Sequence, residues 1–384
     1  MSQTQLMAEA QALRAEFPIF ERFSYLNTCS LGALGSTARA RVIQFLDTWQ
    51  ARGASAWYDD WWAALEELRT RYATLVGAPV GSVALHSSIS SAIGVVAGAL
   101  SRRAQTRPKV VVTDLDFPTV AYQWLARVPE GVEVEMVPSD DGVTIPLDRL
   151  ERAVDDRTCL VATSHVFYTT GAIQDVRAVA DMAHRRDALL LVDGYQAAGQ
   201  LPVDVGALDV DCYLAGGLKW LLGGPGIVFL YVRPELIDHL TPTVTGWWAH
   251  RDQFGFDSST ISFHDDARRF ETGTPALAAV FSQLGGLDVL DRVGHEVVQS
   301  RTRTLTEDLV ARVLAAGLVP RVAREAGERS AIVMVPRPDP AADVQRLAEA
   351  GVVVDSRPGH VRISPYYYNV PDDFNAVIEV LSSA

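Results

Sequence analysis

The sequence predicts an α/β protein: a mainly parallel, mixed sheet lies between helices, and a smaller α/β unit follows it toward the C-terminus. Three observations carry this expectation. Short, continuously apolar runs recur along the first two thirds of the chain, the texture of strands buried on both faces. Segments of helical period separate them, as parallel crossover connections require. Beyond about residue 275 the pattern changes to long helical stretches with short strands between them.

Residues 110–113, 159–163, 189–193 and 227–232 form the apolar runs, with Asp193 closing the third. Residues 176–186 read as a crossover helix between the second and third, and 93–100 as an apolar helix. Later come helix-like residues 288–316, strand-like 331–335 and 352–355, and a last helix from Pro371. We expect a large unit over 24–275 and a small one that combines 1–23 with 276–384. No internal repeat or low-complexity segment interrupts either.

A chain of 384 residues with 48% hydrophobic side chains can bury two cores at roughly 100–200 residues per domain. Its formal net charge of -13 opposes a nucleic-acid surface, and Lys and Arg form no run longer than pairs such as Arg102-Arg103. Small molecules are the expected partners, with neither nucleic acid nor membrane among them. There is no apolar stretch of about 18 residues, and residues 1–17 are polar and mixed in charge rather than a signal peptide, so a cytoplasmic protein is expected. Cys29, Cys159 and Cys212 are isolated and form no C-x-x-C pair, which supports neither a disulfide framework nor a metal cluster. Cys212, in an apolar run, reads as a small buried hydrophobe.

In open parallel sheets ligands sit outside the carboxyl ends of the strands, so the polar residues there are the first candidates. Asp193 follows a buried strand, where a carboxylate needs a cationic or hydrogen-bonding partner. A protonated pyridine nitrogen is one such partner; a helix N-cap is the other reading. Lys219 stands alone in Ala215-Gly216-Gly217-Leu218-Lys219-Trp220-Leu221-Leu222-Gly223-Gly224-Pro225-Gly226. A lysine among apolar residues tends to lose its proton, and a neutral amine forms a Schiff base with an aldehyde. The alternative is a lysine that snorkels to solvent. In His86-Ser87-Ser88-Ile89-Ser90-Ser91, hydroxyls precede an apolar helix, which suits either a phosphate cradle or an ordinary cap. Phe117, just past a strand, suits either stacking on a planar ring or the core.

Together these stretches resemble the class V aminotransferase superfamily of fold type I pyridoxal-phosphate enzymes, from about Tyr25 to Asp373. Kynureninase-like and cysteine desulfurase-like members are the nearest in pattern. The resemblance rests on Tyr25-Leu26-Asn27 with Ser30-Leu31-Gly32, Asp116-Phe117-Pro118-Thr119, Ser164-His165-Val166 with Thr170-Gly171, and the Lys219 segment. It continues through Gly246-Trp247-Trp248-Ala249-His250, Arg269-Phe270-Glu271-Thr272-Gly273-Thr274-Pro275, Arg357-Pro358-Gly359, and Val361-Arg362-Ile363-Ser364-Pro365 with Tyr368-Asn369.

The resemblance implies pyridoxal 5′-phosphate as cofactor, bound to Lys219, which also moves the α-proton of an amino-acid substrate. It implies Asp193 at the pyridine nitrogen, Phe117 on the ring, Gln196 at the O3′ oxygen, and Ser87, Ser88 and Trp247 at the phosphate. Thr274 would reach the phosphate from a neighbouring subunit, which implies a homodimer with shared sites. Arg362 would bind the substrate carboxylate, helped by Asn27, since a planar guanidinium can donate two parallel hydrogen bonds.

Departures from the pattern narrow the reaction. Where kynureninases have a His, an Asp and a Tyr, this chain has Gln196, Val120 and Leu218. Cysteine desulfurases need a thiolate near the C-terminal unit, and no Cys follows Cys212. Chemistry that needs one Lys and no dedicated thiol remains. We therefore expect a carbon-sulfur (β-elimination) lyase acting on a bulky cysteine conjugate, with Trp57-Tyr58 and Trp61-Trp62 lining an aromatic pocket or packing as core. An aminotransferase, a racemase or epimerase, or a kynureninase-like carbon-carbon hydrolase would use the same residues.

Overall fold

The strand Leu189–Asp193 lies in the middle of a seven-stranded sheet in a computed structural model that describes residues 12–383. Part of the expected 1–23 segment, residues 1–11, falls outside the described residues. Across the sheet the order is Val83–His86, Val228–Val232, Cys212–Gly216, Leu189–Asp193, Thr158–Ser164, Lys109–Thr113 and Glu133–Val137. Val228–Val232 runs antiparallel to both neighbours and the remaining pairings are parallel. Central strands read as continuous apolar runs because helices cover both faces. Glu133–Val137 was not singled out, because an edge strand with alternating charged residues lacks that run.

The crossover helix Val176–Arg185 is capped by Asp175, which accepts the Ala178 N–H at 3.0 Å, and buries Val176, Val179, Ala180 and Ala183. The helical stretch expected over 288–316 is two helices, Leu277–Val293 and His295–Ala315, broken at Gly294 with φ +89. Leu277–Val293 packs along Ser36–Arg52. Two bare backbones let three segments meet around the loop that carries Lys219. A Cβ at Gly32 would lie 2.2 Å from the Lys219 carbonyl, and one at Gly286 would lie 2.4 Å from that of Leu221.

Val333–Pro336, His360–Ile363 and Asp355–Arg357 form a three-stranded antiparallel sheet, while Val352–Val353 pairs with Ser24–Tyr25. The single strand expected at 352–355 is therefore two, serving different sheets on either side of Val354. A separate apolar core collects Leu26, Leu305, Leu309, Val333, Leu347, Val361, Phe374 and Leu381. The last helix starts as a 3₁₀ turn at Pro371–Phe374 before Asn375–Ser382. No helix among the described residues is long and apolar enough to cross a membrane.

Candidate active site

A cavity of about 450 Å³ opens where the parallel strands end. Ser87, Ser88, Phe117, Asp193, Gln196, Lys219 and Arg362 all line it, although they come from five separate stretches of sequence. Each except Arg362 sits just beyond a strand of the main sheet or in the loop before Val228. Arg362 comes from the C-terminal hairpin.

Asp193 is the last residue of its strand and is buried; its Oδ1 accepts the Tyr195 N–H at 2.9 Å. Burial raises its carboxyl above the ordinary range, opposed by the Tyr195 N–H and by Lys219. No ion pair neutralises it among the described residues. Lys219 is likewise without a carboxylate partner, and its Nζ lies 4.7 Å from the centre of the Tyr195 ring. Burial of its amine lowers it to about 8, with Asp193 pulling upward and Arg362 and Arg357 pushing down. The chain has only two lysines, Lys109 and Lys219. Lys109 is held by Glu135 at 2.5 Å and Asp155 at 3.0 Å, away from the cavity. That scarcity is a sequence signal for Lys219 that motif reading passes over.

Ser88 caps the helix Ile89–Ala99: its Oγ accepts the Ser91 N–H at 3.1 Å, and Ser91 Oγ accepts the Ser88 N–H at 3.2 Å. The cap and the phosphate cradle are thus one structure, with the helix N-terminus and the exposed Ser87 facing the cavity. Phe117 is held by the residue before it. Asp116 is buried and accepts from Thr113 N at 2.9 Å, Thr113 Oγ1 at 2.8 Å, Thr163 Oγ1 at 3.1 Å and Ser164 N at 2.6 Å. Burial pushes it up to about 6 despite these donors. The Phe117 ring stands 5.1 Å from that of Tyr168, nearly perpendicular, so two aromatic side chains border the space.

Gln196 has one amide end committed to each side: Oε1 accepts from Trp220 Nε1 at 2.8 Å and Nε2 donates to the Cys29 carbonyl at 3.0 Å. One Nε2 hydrogen remains for a ligand. Cys29 itself lines the cavity but is fully buried, and its N–H donates to Ser364 Oγ at 2.9 Å. Ser30, Tyr168 and Tyr195 also line it, without a role assigned from the sequence, as does Arg357, which the resemblance placed in the segment that binds the substrate carboxylate.

Three candidates stand elsewhere. Asn27 bridges Ser364 in the loop beneath Cys29 and does not line the cavity. Trp247 is 42% exposed and donates from Nε1 to the Gln253 carbonyl at 2.7 Å, and Thr274 is exposed; neither reaches this chain's cavity. Of the two readings of Trp57, Tyr58, Trp61 and Trp62, an aromatic substrate pocket is not formed and packing is what the structure has. Trp57 packs on Trp61 and Trp248, Trp62 stacks on Trp248 at 4.9 Å, and Tyr58 points to solvent. Helical spacing there marked packing.

Residues 40–371 match the family model described as Aminotransferase class-V. This chain belongs to the class-V aminotransferase family. It is 33% identical to an uncharacterized aminotransferase, YcbU, of Bacillus subtilis strain 168, over 96% of each chain. It is also 30% identical to a kynureninase of Pseudomonas fluorescens, covering 95% of this chain and 90% of that protein. In three dimensions it resembles the apo cysteine desulfurase of Thermococcus onnurineus NA1, with TM-score 0.88, 21% identity and 97% of each chain covered. As a class-V protein it is a fold type I, pyridoxal-phosphate-dependent enzyme.

The residues present suit that cofactor on the structure's own terms. A buried carboxylate without a cation, an amine without a carboxylate and a hydroxyl-rich helix N-terminus face one cavity. Those are the acceptor, the nucleophile and the anion site that a pyridine nitrogen, an aldehyde and a phosphate need.

Proposed function

We propose that this class-V enzyme is a carbon-sulfur lyase that eliminates the β-substituent of a cysteine conjugate as a thiol, the remaining unsaturated amino acid taking up one water to give pyruvate and ammonia. The observation that carries the reading is the composition of the cavity wall: Lys219 is the one amine there, and the one cysteine, Cys29, is fully buried with its backbone tied on both sides. Such a wall suits a reaction that needs one proton carrier and no sulfur-accepting thiol.

When bound, pyridoxal phosphate supplies an electron sink for the bond broken at the substrate α-carbon. In the proposal Lys219 Nζ holds its aldehyde, Asp193 its pyridine nitrogen, Phe117 its face, and Ser87, Ser88 and the first N–H groups of Ile89–Ala99 its phosphate. Gln196 offers its spare N–H to the ring oxygen. An amine lowered to about 8 is substantially neutral near pH 8, which equips Lys219 to take the α-proton and later return one. The guanidinium side of the cavity, Arg362 with Arg357, takes the substrate carboxylate, and Asn27 supports the loop beneath it. Leu218 and the buried Val120 bring no hydroxyl or carboxylate, which disfavours kynurenine cleavage.

The working unit is proposed to be a homodimer of cytoplasmic protein. Trp247 and Thr274 lie outside their own cavity, and Trp247, Phe254 and Phe256 form an exposed aromatic cluster, with the latter two 61% and 75% exposed. An apolar patch of this kind suits a second copy, whose cavity those two residues would complete. Three free, buried cysteines accord with a reducing compartment.

Incubating the holoenzyme with S-substituted L-cysteines tests the reading. Pyruvate and thiol in equal amounts are expected. Pyridoxamine phosphate accumulating with an amino donor, and no pyruvate, would assign the chain to transamination, the activity in the name of its relative YcbU.

A further inference from the structure

A second cavity, of about 470 Å³ and so as large as the one at the strand ends, opens between the helix His295–Ala315, the loop before Val333 and the segment that follows Gln196. Thr302 and Ser330 line it at 2% and 3% exposure, and neither hydroxyl meets a partner among the described residues. A buried hydroxyl left unpaired costs free energy, so two that line one hollow ask for a polar occupant. Charged groups stand at its rim. Glu296, Gln299 and Arg303 share one face of the helix at i, i+3 and i+7, and their side chains make no hydrogen bond or ion pair among the described residues. Glu307, by contrast, is taken by Arg329 at 2.9 Å.

The floor of this cavity is tied to the wall of the other at two points. His165 lines it, and its Nδ1 shares a hydrogen bond of 3.1 Å with Tyr213 Oη. That oxygen stands against Gly194, where a Cβ would lie 2.1 Å from it. The His165 N–H donates to the Asp193 carbonyl at 2.9 Å. Gln200 also lines the second cavity, donates from Nε2 to the Gln196 carbonyl and accepts the Ala331 N–H at 2.8 Å. An occupant therefore bears on the loop that aims both Asp193 and Gln196 without touching either.

We propose that this second cavity binds a small zwitterion, a free amino acid, and that binding there is felt at the cofactor. The ammonium group takes Glu296, and the carboxylate takes Arg303 with the Thr302 and Ser330 hydroxyls. A zwitterion fits because one free carboxylate and one free guanidinium flank the neutral hydroxyls, so a lone anion or a lone cation would leave one rim charge unanswered. Ile173, Leu201 and Pro202 supply an apolar side for its carbon skeleton. The site goes beyond the reaction proposed above and holds whichever reaction the enzyme carries out.

The probe is L-proline, a secondary amine that forms no ordinary imine with the cofactor, titrated calorimetrically into borohydride-reduced holoenzyme, where Lys219 is fixed to the cofactor. L-Prolinamide lacks the carboxylate and tetrahydrofuroate lacks the ammonium group; each is expected to bind about 10-fold more weakly than proline. E296Q is expected to lose about 10-fold for proline and nothing for tetrahydrofuroate, and R303Q about 10-fold for proline and nothing for prolinamide. T302V is expected to cost proline a smaller factor, about 3-fold. In unreduced holoenzyme, proline at a concentration that saturates wild type is expected to shift the cofactor's visible absorbance, and to shift it less in E296Q. No heat from proline, or an affinity that ignores both E296Q and R303Q, would overturn the site. An absorbance that stays fixed, or shifts equally in wild type and E296Q, would overturn its link to the cofactor. Absence of pyruvate from cysteine conjugates, with proline binding intact, would instead sink the lyase reading alone.

Discussion

The cavity wall and the stretch from Gly246 to Phe263 are built on opposite plans. Behind the wall, buried Asp116 has four donors; in it, the cavity-lining end of Gln196 is tied on both sides and Arg362 is bonded along two edges. Regular strands aim each of these groups. The 246–263 stretch has only short 3₁₀ turns, and it leaves Trp247, Phe254 and Phe256 largely in solvent. In the wall the groups that position it are bonded within one chain, whereas the rings of 246–263 are not covered by it. The wall is shaped by bonds within its own chain, while the aromatic stretch calls for a surface to lie against.

Glu271 is the link between the two regions, and breaking it should have the largest effect. Its carboxylate is 1% exposed, takes both Nε and Nη2 of Arg69 at 2.8 Å, and accepts the Leu85 N–H at 3.0 Å. The next residue, Thr272, receives the Trp248 N–H at 3.1 Å. Glu271→Ala would leave the buried Arg69 guanidinium with only the exposed Glu66 at 2.6 Å, so urea unfolding should show a loss toward the lower end of about 3–5 kcal/mol. A loss under about 1 kcal/mol would mean that the pair does not join the two regions.

Removing the exposed rings acts on the other side of the comparison. If the proposed dimer uses this stretch, Phe254→Asp with Phe256→Asp shifts light scattering from dimer to monomer at micromolar concentration, with less than about 1 kcal/mol change in unfolding of the isolated chain. A dimer that persists would show that the aromatic stretch is not its interface.

The smallest effect expected is a pH dependence confined to the wall. Burial lowers the Lys219 amine to about 8, and the neutral form is the one that captures an aldehyde. Cofactor capture by the apoprotein should therefore speed up as pH rises through about 8 and level off above it. Speeding up only near 10 would indicate an ordinary, solvated lysine.

How much of this was legible in the sequence follows the same divide. Asp193, Lys219, Ser87, Ser88 and Phe117 were readable because each punctuates the end of a buried run, and the family resemblance assigned their roles. Arg357 was visible within a motif, but the Asp355 that both it and Arg362 bond is set by a hairpin register that composition does not reveal. For the tryptophans at 57, 61 and 62 the sequence left pocket and core both open, because helical spacing says that a face is apolar without saying what it meets. The edge strand Glu133–Val137 was missed because its buried face is too thin to leave an apolar run.

The most direct test of the central claim is borohydride reduction of the holoenzyme, followed by mass spectrometry of its peptides. Of the two lysines in the chain, Lys109 is held by two carboxylates and Lys219 faces the cavity beside Asp193. The account predicts the cofactor's mass on the Lys219 peptide alone. Mass on the Lys109 peptide, or on no lysine at all, would contradict it.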